Sequence, residues 1–231
     1  LDCGVLERTR IDGIEAYRDQ IVNIDHHPNP NFGNFNIIEE TASSTSEILF
    51  KMFSQNGWDI QPSEATAMLA GIVGDTGGFR HSNTTAETLA AAGALLSYGA
   101  NLALINKTFF ELSLAQIKAR GLALENAYLD DKNKAIISGI TAEDVEKLKL
   151  PEGSLAGIVE LLNTCTEAQY AALCKQREDE VRVSLRTEEY KNFDVAELAT
   201  KHGGGGMKLA AVFRVKGTLV KDEKGLAVEL E

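Results

Sequence analysis

The chain has 231 residues, 44% of them hydrophobic, and a formal net charge of −11 from 34 acidic and 23 basic side chains. That length suits one large domain or two small ones with a proper core. The acidic balance argues against sequence-independent binding to duplex nucleic acid, which relies on Lys and Arg neutralising phosphates, but leaves room for a local basic pocket. Cys3, Cys165 and Cys174 show no CxxC pairing, so neither a disulfide framework nor a structural zinc site is expected. A reducing cytoplasm is the simplest compartment. No apolar run approaches the ~18 residues that span a bilayer. The chain opens on Leu1-Asp2-Cys3-Gly4, without Met and without a basic signal-type start, and reads as the middle of a longer sequence.

Residues 21–25 (IVNID) read as a short buried strand, followed by a loop over 28–36 rich in turn residues. Ser43, Ser44 or Thr45 can cap a helix that carries Ile48, Leu49, Met52 and Phe53 on one face, with Glu47 placed as in a capping box. Residues 63–74 predict a second helix closing on Gly71 or Gly74, then a tight GDTGGFRH turn. Residues 84–98 predict a third helix ending at Gly99, and 112–128 a long linker helix. The polar stretch LDDKNK, residues 129–134, is the expected domain boundary, dividing the chain into 1–128 and 129–231.

Beyond it, 135–140 predicts a strand. TAEDVEKLKL and SLAGIVELLNTC predict helices, AQYAALCKQ and EVRVSLRT a strand pair, and FDVAELATKH a helix. A run of four glycines leads into an Ala-rich segment, and FRVKGTLV and GLAVELE predict a final strand pair. Alternating strands and helices in both halves imply an α/β fold.

Asp2, Asp25, His26, His27 and Asp75 each sit where an apolar element gives way to a polar or glycine-rich loop, the position where α/β folds build sites. Carboxylates with imidazole suit a divalent first-row metal such as manganese or zinc. A lone Asp at such a place is more often a turn former or cap. Two consecutive histidines after an acid are harder to explain by packing; in a strand they would face opposite ways, one for metal and one for substrate. A metal site and an acid–base site both remain open on these residues. Arg182 and Arg186 share a strand face by their even spacing, either as a ligand surface or as an exposed edge with snorkelling arginines. The glycines 203–206 serve either a flexible hinge or close ligand approach.

DHH at 25–27, SSTSEIL at 43–49, GDTGGFRHSNTT at 74–85 and the glycine run at 203–206, in that order, resemble the DHH/DHHA1 phosphoesterases over nearly the whole chain. The similarity is greatest to the group of oligoribonucleases and pAp phosphatases. The resemblance implies a two-domain α/β fold. Its N-terminal DHH domain has a mainly parallel sheet, whose first strands would lie before Leu1, and its smaller C-terminal domain is of the DHHA1 type. It implies a phosphoesterase that hydrolyses short oligonucleotides, dinucleotides or pAp with metal-activated water and two Mn2+ ions in the complete protein, the substrate lying between the domains. Asp2, His26 and Asp75 would be metal ligands. His27 would face the scissile phosphate, and Asp25 would orient an imidazole. Arg182, Ser184 and Arg186, with Gly204, Gly205 and Gly206 at a helix N-terminus, would bind the nucleotide. The resemblance leaves room for a homodimer, and no membrane or long duplex partner is expected.

Two departures stand out. The family's opening motif, a histidine followed by two aspartates spaced by one residue, is absent and would precede Leu1; without it, a degenerate nucleotide-binding homologue is the alternative. The glycine run usually ends in histidine, where this chain has Met207, which cannot donate a hydrogen bond to phosphate.

Overall fold

A computed structural model of the chain describes residues 1–28, 32–151, 153–222 and 225–229. The fold divides into two units, Leu1–Glu111 and Leu112–Glu231.

Unit 1 opens with two 3-10 turns, Leu6–Thr9 and Ile14–Gln20, and a strand β1 (Val22–Asp25). Residues 29–31 of the expected loop lie outside the described residues. The end of that loop is strand: β2 (Phe35–Ile38) pairs in parallel with β1, Val22 opposite Phe35 and Asp25 opposite Ile38. Helix α1 (Thr45–Gln55) is capped by Ser44, whose hydroxyl accepts the Glu47 N–H. The Glu47 carboxylate does not complete a capping box. It turns inward to accept from the Ser43 N–H (3.0 Å) and from the hydroxyls of Ser43 (2.7 Å) and Thr88 (2.9 Å). It also pairs with Lys51 at 2.9 Å. Burial pushes the Glu47 pKa up, but these donors and the Lys51 charge outweigh it and hold the carboxyl below its usual range.

Helix α2 (Pro62–Asp75) runs past both glycines expected to end it, so Asp75 is its last residue. Helix α3 (Ala86–Ser97) is capped by Thr85, and α4 (Leu102–Phe110) follows. The unit's core is Phe50, Leu69, Ile72, Leu95 and Ile105 with their neighbours.

Unit 2 begins with helix α5 (Leu114–Glu125), read from the sequence as a linker. Its Ala119 and Ala123 are fully buried against the sheet, so it packs as part of this unit, which is therefore not the smaller of the two. Residues 129–134, the expected boundary, join strand β3 (Tyr128–Asp130) to β4 (Ala135–Ile140) as a hairpin turn, and the Asp130 carboxylate accepts the N–H groups of Lys132 and Asn133. Helix α6 (Ala142–Leu148) is capped by Thr141. Helix α7 is only Ile158–Leu162, because Gly157 before it has φ 79° and breaks the helical path.

Strands β5 (Tyr170–Arg177) and β6 (Glu180–Arg186), helix α8 (Val195–Lys201), and strands β7 (Gly205–Met207) and β8 (Ala210–Lys216) complete the main sheet, ordered β3-β4-β5-β6-β8-β7. Only β4 and β5 run parallel. One face packs on α5 and α7 through Ile140, Ile158, Leu162 and Leu173; the other packs on α8 through Val181, Val183, Leu185 and Val195. The expected final strand pair is re-cut. FRVK ends β8 inside the main sheet, while β9 (Thr218–Asp222) and β10 (Gly225–Glu229) make a separate antiparallel pair. Among the described residues no helix is long and apolar enough to cross a membrane.

Candidate active site

The site in unit 1 is built where β1 stops. Asp25 is fully buried, and its carboxylate accepts from the Gly4 N–H (2.7 Å) and the His27 N–H (2.8 Å). The second bond is a local side-chain-to-backbone turn that pulls the chain out of the strand. His26 and His27 therefore do not point to opposite faces, as an extended strand would require. Their rings lie 4.7 Å apart, edge to face.

Asp25 Oδ1 also meets His27 Nδ1 at 2.7 Å. Burial raises the Asp25 pKa, but the two N–H donors and the imidazole overcome it and hold the carboxyl well below the usual range. An ionised Asp25 only accepts, so His27 Nδ1 carries a proton and Nε2 is the ring's other working atom. The imidazole that Asp25 orients is thus that of His27, not of His26.

His26 is held differently. Its Nδ1 lies 3.3 Å from the Ala42 carbonyl, which can only accept, so the proton sits on Nδ1. The Nε2 lone pair then faces Asp2 Oδ1 at 3.5 Å and Asp75 Oδ2 at 3.8 Å. Asp2 adopts a left-handed backbone (φ 59°), its N–H bonds the Ile24 carbonyl at 3.1 Å, and its carboxylate accepts from the Thr45 hydroxyl at 3.1 Å. Burial and the Asp2 charge push the Asp75 pKa up, partly offset by the neighbouring histidines.

His26 Nε2 set between two carboxylates is an arrangement that a bound cation stabilises. Ligand atoms of Asp2, Asp25, His26 and His27 all fall within 4.8 Å of one another. Asp25 and His27 Nδ1 in that group are engaged with each other, so Asp2 and His26, with Asp75 beside them and a carbonyl fixing the far nitrogen of the ligating imidazole, are the donors that fit a divalent metal.

Sequence reasoning gave no place in the site to Gly4, Ala42, His81 or Asn83, and read Thr45 only as a candidate helix cap. His81 and Asn83 arise from the GDTGGFRHSNTT turn. His81 Nδ1 lies 3.2 Å from the Asp75 carbonyl, and Asn83 Nδ2 donates to that carbonyl at 3.3 Å and to Ser43 O at 2.9 Å. Gly77, at φ 57°, is required here, because a Cβ would collide with the His81 ring. The signal was present, since His81 is one of only four histidines and lies in the same turn as Asp75.

Residues 1–72 match the model of the DHH family, N-terminal domain. The chain carries a DHH-family domain. The chain is 29% identical over 215 residues to the bifunctional oligoribonuclease and PAP phosphatase NrnA of Bacillus subtilis, covering 90% of this chain and 67% of that one. It is 30% identical over 193 residues to the probable NrnA of Streptococcus mutans, covering 83% and 61%. Among solved structures it is similar to an exopolyphosphatase-related protein from Bacteroides fragilis, with TM-score 0.83 and 25% identity over 91% of this chain and 64% of that one. The chain thus spans about two thirds of the length of these relatives.

In unit 2, Arg182, Ser184 and Arg186 lie half-buried on one face of β6, alternating with buried Val181, Val183 and Leu185. They line a groove of about 350 Å³ with Glu160, Lys175 and Gly157. Arg186 pairs with Glu160 at 2.9 Å. The glycine run is not at a helix N-terminus as expected: it closes α8 and becomes edge strand β7, and the Ala-rich segment is β8. Its composition follows from close approach, since a Cβ on Gly204 or Gly206 would collide with the β8 backbone. Met207 stands 60% exposed opposite Ala210, in the same cross-strand row as Arg186.

Proposed function

We propose that this chain is a manganese-dependent phosphoesterase that hydrolyses short oligoribonucleotides, dinucleotides or pAp, as the names of its NrnA relatives suggest. The observation that carries the reading is His26 Nε2 set between the Asp2 and Asp75 carboxylates. Asp2, His26 and Asp75 are the residues that would hold Mn2+, in a two-ion site in the whole protein. Such ions supply Lewis acidity, which makes water a nucleophile at neutral pH and offsets phosphate charge.

The remaining work falls to the chain's own groups. Asp25 fixes the His27 ring through Nδ1, which leaves Nε2 to hold or pass a proton at the substrate phosphate. Gly4 and the His27 N–H keep Asp25 ionised and in place. Arg182, Ser184 and Arg186 offer donors to a nucleotide phosphate. Gly204, Gly205 and Gly206 bring backbone N–H groups to the sheet edge, where a phosphate can approach without side-chain hindrance.

The test is hydrolysis of diadenylate and of pAp with manganese, followed by product analysis. Release of mononucleotide, lost on His26→Ala and on Asp75→Ala, is the expected result. Undiminished turnover in either variant would sink the site assignment.

A further inference from the structure

The segment 42–45, where a loop enters α1, reaches all three proposed metal ligands. The Ala42 carbonyl lies 3.3 Å from His26 Nδ1, and the Thr45 hydroxyl donates to Asp2 Oδ1 at 3.1 Å. Between them, the Ser43 carbonyl accepts from Asn83 Nδ2 at 2.9 Å, and the same nitrogen donates to the Asp75 carbonyl at 3.3 Å. A side-chain amide nitrogen carries two hydrogens, so both bonds can form at once. Carbonyls only accept, so the nitrogen of Asn83, not its oxygen, faces them. Asp75 is the last residue of α2. The N–H groups that close this helix go past it, from Gly78 to Val73 O (2.8 Å) and from Gly77 to Gly74 O (3.2 Å). The Asp75 carbonyl is satisfied by the side chains of Asn83 and His81 instead.

Capping alone does not require this arrangement. The cap of α1 is the Ser44 hydroxyl, which accepts the Glu47 N–H; the Ala42 and Ser43 carbonyls and the Thr45 hydroxyl point elsewhere. The segment is also braced from behind. Ala42, Ser43, Ser44 and Thr45 are all buried. The Glu47 carboxylate accepts the N–H (3.0 Å) and hydroxyl (2.7 Å) of Ser43 and is itself held by the Thr88 hydroxyl (2.9 Å). Gly71, one turn before Asp75, lets α2 close on the start of α1, since a Cβ there would collide with the Ser46 side chain.

We infer that residues 42–45 are a template that sets the spacing of Asp2, His26 and Asp75, and that Asn83 is the positioning residue that ties Asp75 to it. The inference rests on the proposed metal-binding role of those three residues. It extends that role to Thr45 and Asn83, which act through the ligands rather than on ion or substrate. Ligands held in place before the ion arrives have less ordering left to undergo when it binds.

The test is manganese affinity of the whole protein by calorimetry, well below its melting temperature, with diadenylate kinetics alongside. Asn83→Ala and Thr45→Val should each bind manganese about tenfold more weakly than the parent, the usual scale when a partner of a metal ligand is removed. Thr45→Ser, which keeps the hydroxyl, should bind within about threefold of the parent. At saturating manganese, KM for diadenylate should stay within about twofold in all three. A merely structural role would lower the melting temperature and leave the affinity alone. That result in either Asn83→Ala or Thr45→Val would overturn the inference, as would equal weakening in Thr45→Val and Thr45→Ser. If Asn83→Ala does not fold, the Thr45→Val and Thr45→Ser pair decides. A parent that binds no manganese removes the proposed metal site and this inference with it. A parent that binds, with variants that bind equally well, removes the inference alone.

Discussion

Asp25 and His27, two residues apart, are joined twice: Oδ1 of the buried carboxylate accepts both the His27 backbone N–H at 2.8 Å and its ring Nδ1 at 2.7 Å. One acid thereby ends the strand, turns the chain and fixes the imidazole. Asp25→Asn removes the charge while leaving the shape. The expected outcome is a fall in kcat of about 10- to 100-fold, the usual loss when a positioning partner is removed, with manganese affinity changed less. Steady-state kinetics alongside a manganese titration checks the split; equal losses in both would place Asp25 among the ligands instead.

Manganese should raise the melting temperature of the parent chain, because binding to the folded state alone stabilises it by mass action. With the ion at about 100 times its dissociation constant the gain is about 2.7 kcal/mol. His26→Ala and Asp75→Asn should each abolish the shift, whereas a surface change such as Lys132→Gln should keep it. A persistent shift in the two site variants would mean that the ion binds elsewhere.

Met207 shares a cross-strand row with Arg186 and is largely exposed, but a thioether is a poor partner for phosphate. Met207→His should lower KM for a dinucleotide about 3- to 10-fold by adding a donor, with kcat nearly unchanged. An unaltered KM would show that this position does not touch substrate.

Glu47 is buried and held by Ser43, Thr88 and Lys51, and its pKa lies below the ordinary glutamate value. A depressed folded-state pKa contributes stability that is present above the unfolded value, ~4.3, and is lost as pH falls through the folded one. Glu47→Ala should therefore cost about 3 kcal/mol at neutral pH, through unpaired buried donors. The gap between Glu47→Gln and parent in denaturant melts should close as the pH drops below about 4. A gap independent of pH would assign the effect to shape rather than charge.

The caps made much of the fold legible. Ser44 stands among the caps expected for α1 and fills that role, and Thr85 and Thr141 cap the helices expected over 84–98 and after 140; Ser113, which fell inside the helix expected over 112–128, is its cap instead. Strand β1 was legible from its β-branched residues and its abrupt polar end. The parallel partner β2 was not, because its few residues pair with a segment more than ten positions away and carry turn-like neighbours. The short α4 was missed, and the glycine run was misplaced at a helix start: an Ala-rich segment after glycines suits a helix or a strand equally, and only pairing with β6 decides.

The sequence by itself determined which residues could do chemistry: an acid and two histidines at a strand end, acids near each flank, and arginines at even spacing. Local composition and periodicity carry that much, since they depend on neighbours along the chain. Only the tertiary structure decided how these residues divide the work. That His27 rather than His26 is gripped by Asp25, that the Ala42 carbonyl turns His26 Nε2 toward Asp2 and Asp75, and that Asn83 joins Asp75 to Ser43 all depend on how distant segments meet. They depend on register and packing, which no local pattern encodes.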